Sequence, residues 1–373
     1  MNGRNLCVLL LIVWIFMGVS VSASEATDLD SYDYSGMQEV LDEASEDPPS
    51  FSELAKQFFS GQGKEALSQI PSWLENRFFS ELKGGRRLLG QVLFLAAFGA
   101  VFSGLSDAFR DKQAGETGFY VTYLLLLSLL FTGFQEAVSS AETVMNQVTA
   151  FMGALVPAFT LSVAASGKPL TAVFSYEFIL ICVNAVQWCF RMIFLPGIQI
   201  FAVVSLVGQI SREEMLGKLQ ELLELVLGWG MKALMGVILG YGAIQSLVLP
   251  LADSLKTGAV TRILSAIPGI GNSAGAAAGL VAGMANLIKN SMGAAALAAL
   301  LFLAVIPLLK LLVLALLYQG AAALVQPAAD ERVTECLSSM ARGMLLLFKL
   351  TGGTVCLFFL SVALVCGFPS AGL

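Results

Sequence analysis

The chain has 373 residues, of which 57% are hydrophobic, only 13% are charged and none is histidine. A soluble domain is about one quarter charged, so an ordinary soluble globule is excluded. Without imidazole there is no Ser-His-Asp triad, no histidine zinc site and no histidine proton shuttle. The formal net charge of -6 is unevenly placed. Residues 24–87 hold 13 acidic and 6 basic residues, whereas residues 88–373 hold 14 of each. The body is neutral and carries no basic stripe, so a nucleic-acid partner is not expected.

The N-terminus has the order of a secretory signal. Arg4 supplies the positive start, Leu6 to Val19 are uninterrupted and apolar, and Val21-Ser22-Ala23 places small residues at a cleavage site. Residues 1–23 are therefore read as a signal peptide cleaved after Ala23, which leaves the following segment outside the cytoplasm. Residues 24–50 carry nine acids and no base and end in Pro48-Pro49. So little apolar surface does not offset ordering entropy, and an acidic disordered arm is expected. Within 51–87, Ser72 and Glu75 form a capping box, and Trp73, Leu74, Phe78 and Leu82 recur at helical spacing. That pattern predicts a short amphipathic exported helix, stopped at Gly84-Gly85.

Residues 88–373 read as a polytopic transmembrane body. Uncharged runs cover 88–106, 117–135, 143–167, 233–252, 263–288, 290–309, 311–329 and 350–373. The stretch 169–211 is interrupted only by Glu177, Arg191 and the Pro196-Gly197 pair. A span needs about 20 apolar residues, so about seven or eight spans are expected, with Pro196-Gly197 as a helix break and Lys310 at an interface between two spans. The signal directs the first span inward to Arg110 and Lys112, although Lys83, Arg86 and Arg87 on its outer flank oppose the positive-inside tendency. From Ser211 an amphipathic segment sets Met215, Leu219, Leu222, Val226 and Leu227 against Glu213, Glu221 and Glu224. Such a helix lies in the interface plane or extends the next span.

Two features are candidates for function. Gly271, Gly275, Gly279 and Gly283 repeat every fourth residue beside Ala274, Ala278 and Ala282. On a helix they make a smooth face that another backbone can approach, either within the protomer or at a subunit contact. Intramembrane polar residues form the second set: Glu177, Asn184, Gln187 and Arg191 could line a wet path, and Lys310 is an isolated cation. No catalytic, cofactor-binding or metal-binding motif is present. The six cysteines include no C-x-x-C pair, and there is no phosphate-binding loop. The chain is read as a non-enzyme without a cofactor.

Four runs carry a family resemblance: SGKPLTA (166–172), AIPGIGNSAGAAAG (266–279), LIKNSMG (287–293) and LYQGAAALVQPAAD (317–330). With the signal and acidic segment they resemble the stage III sporulation protein AE family of endospore-forming bacteria. The resemblance implies an integral membrane subunit of the stage III A operon complex, in the mother-cell membrane around the forespore. Its implied partners are the other subunits, including an ATPase and ring-forming proteins, and indirectly the forespore protein stage II Q. The implied role is a channel or secretion-like complex that maintains the engulfed forespore and its late gene expression. The residues themselves leave two other readings open: an ion-coupled transporter acting alone, or a membrane scaffold without a conduit. Cleavage after Ala23 is checked by sequencing the mature N-terminus, which should begin at Ser24.

Overall fold

The computed structural model describes residues 33–44, 48–61, 78–108, 112–165, 181–211, 216–238, 240, 271–327 and 329–367, with backbone alone over 102–108, 112–116, 158–165, 209–211, 271–286, 289 and 364–367. Every described element is helical. Two short helices come first, α1 (Ser35–Ala44) and α2 (Phe51–Phe59), followed by α3 (Arg86–Ala108) and α4 (Lys112–Ala165). Residues 181–189, a π-helical turn Phe190–Phe194 and the helix Leu195–Ser211 run on as one rod, α5. Residues 216–238 form α6, and α7 (Gly271–Val325) and α8 (Glu331–Gly367) complete the order.

Within the stretch expected to be an acidic disordered arm, Ser35–Ala44 form a helix. Met37 and Leu41, four residues apart on α1, are fully buried, and this narrow stripe is enough to dock the helix on α4 beside Ala154. Ser35 donates from Oγ and from N to Asp33 Oδ1, at 2.6 and 3.0 Å. Both bonds hold the Asp33 carboxyl below its ordinary range. Their support for the start of α1 is present above the usual carboxylate pKa of about 3.9 and is lost as pH falls through the lowered folded value. Ser50 caps α2 by accepting from Glu53 N, Gln38 Oε1 accepts from Phe51 N at 2.8 Å, and the Phe51 ring meets Phe151 of α4. The signal peptide and the Ser72–Glu75 capping box lie outside the described residues.

Among the described residues four helices are long and apolar enough to cross a membrane: Thr117–Pro157, Ile181–Gly208, Asn290–Val325 and Glu331–Ala363. Of the seven or eight expected spans, those over 233–252 and 263–288 fall largely outside the described side chains, and within the described helices neighbouring runs merge. Charges that punctuate the sequence do not interrupt the helices. The link at Glu136 and Glu142 is helical inside the 54-residue α4, and Pro307 and Lys310 lie inside the 55-residue α7, about 80 Å long by helical rise. The expected break at Pro196-Gly197 is also absent. Proline removes one N–H and crowds the preceding turn, and the wider π turn immediately before Pro196 absorbs both effects while Leu195 N still donates to Phe190 O.

Glycines set the helix contacts. A methyl placed on Gly197 would lie 2.7 Å from Leu227 Cδ2, one on Gly208 3.2 Å from Leu216 Cβ, and one on Gly230 2.9 Å from the Phe194 ring. So α5 and α6 form a close antiparallel hairpin. Gly99 faces Phe119 and Thr122, and Gly133 packs against Leu88 and the Tyr318 hydroxyl, which makes α3 and α4 a second hairpin laid on α7. The third is α7–α8, where Asp330 Oδ1 accepts from Arg332 N to start α8 and Gly352 meets Leu308. The Arg332 guanidinium lies 5.7 Å over the Phe119 ring, and Gln220 bonds Ser339, so all three hairpin turns lie at one end of the bundle. Gly230→Leu should push Phe194 away and destabilise the protein by about 1–3 kcal/mol. Gly228→Leu, with nothing within 4 Å of its methyl position, is the neutral control; thermal unfolding in detergent compares the two.

Candidate functional site

The polar groups that the fold brings together lie between α6 and α8. Gln220 Nε2 donates to Ser339 Oγ at 2.9 Å, and Arg342 Nη2 donates to the same oxygen at 2.9 Å. The Arg342 guanidinium also pairs with Glu224 Oε2 at 3.8 Å and Glu335 Oε2 at 3.9 Å. Gln220 and Ser339 are buried, while the three charged side chains are about half covered, with 39–52% of each exposed. Arg342 Nε is buried without a hydrogen-bond partner. Two carboxylates around one guanidinium carry a net negative charge, and Lys349, which Glu224 influences through space, is placed to balance it.

The local sequence explains the cluster. Glu335, Ser339 and Arg342 are spaced i, i+4, i+7 and share one face of α8, while Gln220 and Glu224 are four apart on α6. Gln220 and Glu224 of α6 point inward, with Leu227 and Met231 below them in the core, while Lys218 and Glu221 are exposed. The apolar side of the helix, Leu219, Leu222, Leu225, Val226 and Trp229, is exposed. The amphipathic pattern from Ser211 was legible, but its direction is the reverse of a helix resting apolar face down on protein. The spacing on α8 was the available signal for the rest. In hydropathy alone, the stretch joining 311–329 to 350–373 reads as a link.

The intramembrane polar candidates separate in space. Gln187 is buried and pairs with Thr354 across 167 positions: Thr354 Oγ1 donates to Gln187 Oε1 at 3.1 Å, and Gln187 Nε2 donates to Thr354 O at 3.4 Å. Asn184 and Arg191 are exposed on the opposite side of α5, so these three do not line a common path. Glu177 and Ala23 lie outside the described residues. Lys310 is half-buried within the unbroken α7. Gly271, Gly275, Gly279 and Gly283 all lie on α7, and what their face meets lies outside the described side chains. Cys182, Cys189, Cys336 and Cys356 are unbridged. Among the described residues no three His, Cys, Asp or Glu side chains group as metal ligands.

An all-helical chain with apolar helices of spanning length, an apolar outer face on α6 and a charged cluster turned into the protein is a helical membrane protein. The family model of Stage III sporulation protein AE matches residues 49–369, and the chain belongs to that family. The Stage III sporulation protein AE of Bacillus subtilis (strain 168) is 26% identical over 297 residues, which cover 79% of this chain and 74% of the relative. No solved structure matches the chain. Family membership assigns the protein a role in sporulation.

The Gln187–Thr354 pair makes a testable contact. Thr354→Val leaves the buried Gln187 Oε1 without its donor, while Nε2 keeps the Thr354 carbonyl, and should cost about 1–3 kcal/mol. Gln187→Leu combined with Thr354→Val removes both side-chain partners and should recover most of the loss. Unfolding midpoints of the two singles and the double in detergent measure the coupling.

Proposed function

We infer that this chain is a membrane subunit of the channel or secretion-like complex joining mother cell and forespore, needed to maintain the engulfed forespore and its late gene expression. It sits in the mother-cell membrane surrounding the forespore, with its N-terminal segment extracytoplasmic. It acts without catalysis and without a cofactor. Its partners are the other stage III A subunits, including the ATPase and the ring-forming proteins, and indirectly the forespore protein stage II Q.

The observation that supports this reading most directly is the family match along most of the chain, together with the inward-facing Gln220–Glu224–Glu335–Ser339–Arg342 cluster. Charges kept from lipid by an apolar outer face suit a subunit that lines or braces a polar route. A lone ion-coupled transporter needs convergent polar groups along α5. Gln187 is instead engaged with Thr354, and Asn184 and Arg191 point away. A scaffold without a conduit shares the same fold and is separated by experiment.

Affinity purification from sporulating cells should recover the chain with the stage III A subunits. Isolation alone, with ion-coupled transport by the pure chain in liposomes, would overturn the subunit reading. Arg342→Ala should lower sporulation while protein level and complex recovery stay normal. Undiminished sporulation in that variant would favour the scaffold.

A further inference from the structure

Four cations from four helices share one level of the bundle. A methyl on Gly353 of α8 would lie 3.3 Å from both Met235 of α6 and Phe190 of α5, and one on the adjacent Gly352 would lie 3.8 Å from Leu308 of α7. Arg191 follows Phe190 by one residue, Lys310 follows Leu308 by two, and Lys232 and Lys349 precede Met235 and Gly352 by three. Given the helix directions, all four lie on the side of this level that faces the hairpin turns. Among the described residues none of them makes an ion pair; Lys349 feels Glu224 and Lys232 through space.

This ring divides the bundle into two storeys with opposite outer surfaces. Between the ring and the turns, α8 runs from Glu331 to Lys349, about 27 Å by helical rise, close to the hydrocarbon thickness of about 30 Å. Nearly all exposed large apolar side chains lie here, such as Phe94, Leu124, Val203, Leu225 and Leu316; the exceptions are Phe79, Ile181, Trp188 and Val237. On the other side of the ring, no described α7 residue from 290 to 309 and no α8 residue from 350 to 363 is exposed. The outer face of α4 there shows Glu142, Thr143, Asn146 and Thr149. Charged helices α1 and α2 dock at its Phe151 and Ala154.

We propose that the bilayer covers only the storey between ring and turns, and that Arg191, Lys232, Lys310 and Lys349 bind the headgroups of anionic phospholipids where the second storey leaves the membrane. The apolar sequence of that second storey reflects burial against protein. The exposed Glu142 carboxylate and Asn146 amide would face hydrocarbon if it were embedded, at an energetic cost that water removes. Cations gather at an anionic membrane surface for the opposite reason, since long side chains reach the phosphates while their stems stay in apolar contact. Arg86, Arg87 and Glu136 are exposed just on the turn side of the ring, near the Leu88–Gly133–Tyr318 contact, and the two arginines are long enough to reach back to the same headgroups.

The test uses the full chain in its native membrane, with its six cysteines replaced and single cysteines added. A membrane-impermeant maleimide is applied to intact protoplasts and to inverted vesicles. N146C and T149C should label fully from one of the two faces without detergent, while L124C, V203C and L225C should label only after detergent. Protection of N146C and T149C from both faces would place the second storey in the bilayer and overturn the proposal. Headgroup binding is read separately, by mass spectrometry of lipid retained from phosphatidylglycerol–phosphatidylcholine nanodiscs. Arg191→Gln, Lys232→Gln, Lys310→Gln and Lys349→Gln should each weaken phosphatidylglycerol enrichment, roughly fivefold per cation, and Lys218→Gln at the turn end should not. Enrichment unchanged in all four, or lost equally in Lys218→Gln, would refute the ring as the lipid seat.

Discussion

The close approach of neighbouring helices to α8 is the contact on which the bundle depends. Gly343 leaves room for Phe134 of α4, Gly352 for Leu308 of α7, and Gly353 for Phe190 and Met235. In a membrane, lipid offers no hydrophobic drive between helices, so association rests on dispersion contacts made at short range. Side chains at Gly343 and Gly353 would press on α4, α5 and α6 at once, while Gly352 meets Leu308 of α7 at ordinary contact distance. The buried faces of α4, α5, α6 and α7 meet through α8, and it carries Ser339, Arg342 and Thr354, which make the polar contacts to α5 and α6.

That contact scheme forces a reversal of polarity on α6. Packed on α8 through Gln220, Glu224 and Leu227, the helix leaves its leucines, Val226 and Trp229 outside. In water this arrangement would be unstable. Beside lipid it is favourable, because the charges are shielded and the hydrocarbon side chains meet hydrocarbon. The half-covered Glu224, Glu335 and Arg342 form the charged part of that interior, with Arg342 Nε 3.8 Å from Glu224 Oε2. The cluster and the outer face are two consequences of one rotation of α6 about its axis, and this links the packing of α8 to the functional reading as a membrane subunit.

The sequence by itself determined that the protein is helical and embedded in a membrane, because uncharged runs and a charged fraction of 13% leave few other solutions. Its family was also legible, in short runs such as AIPGIGNSAGAAAG and LYQGAAALVQPAAD. Hydropathy alone did not separate a helix surrounded by lipid from one surrounded by protein, since both are apolar on every side. Only the tertiary structure showed that α7 passes unbroken through Pro307 and Lys310, that Gln187 meets Thr354 across 167 positions, and that Glu224 turns toward Arg342. Each depends on which neighbour lies against a given face. That neighbour comes from a distant part of the chain, where local periodicity carries no information about it.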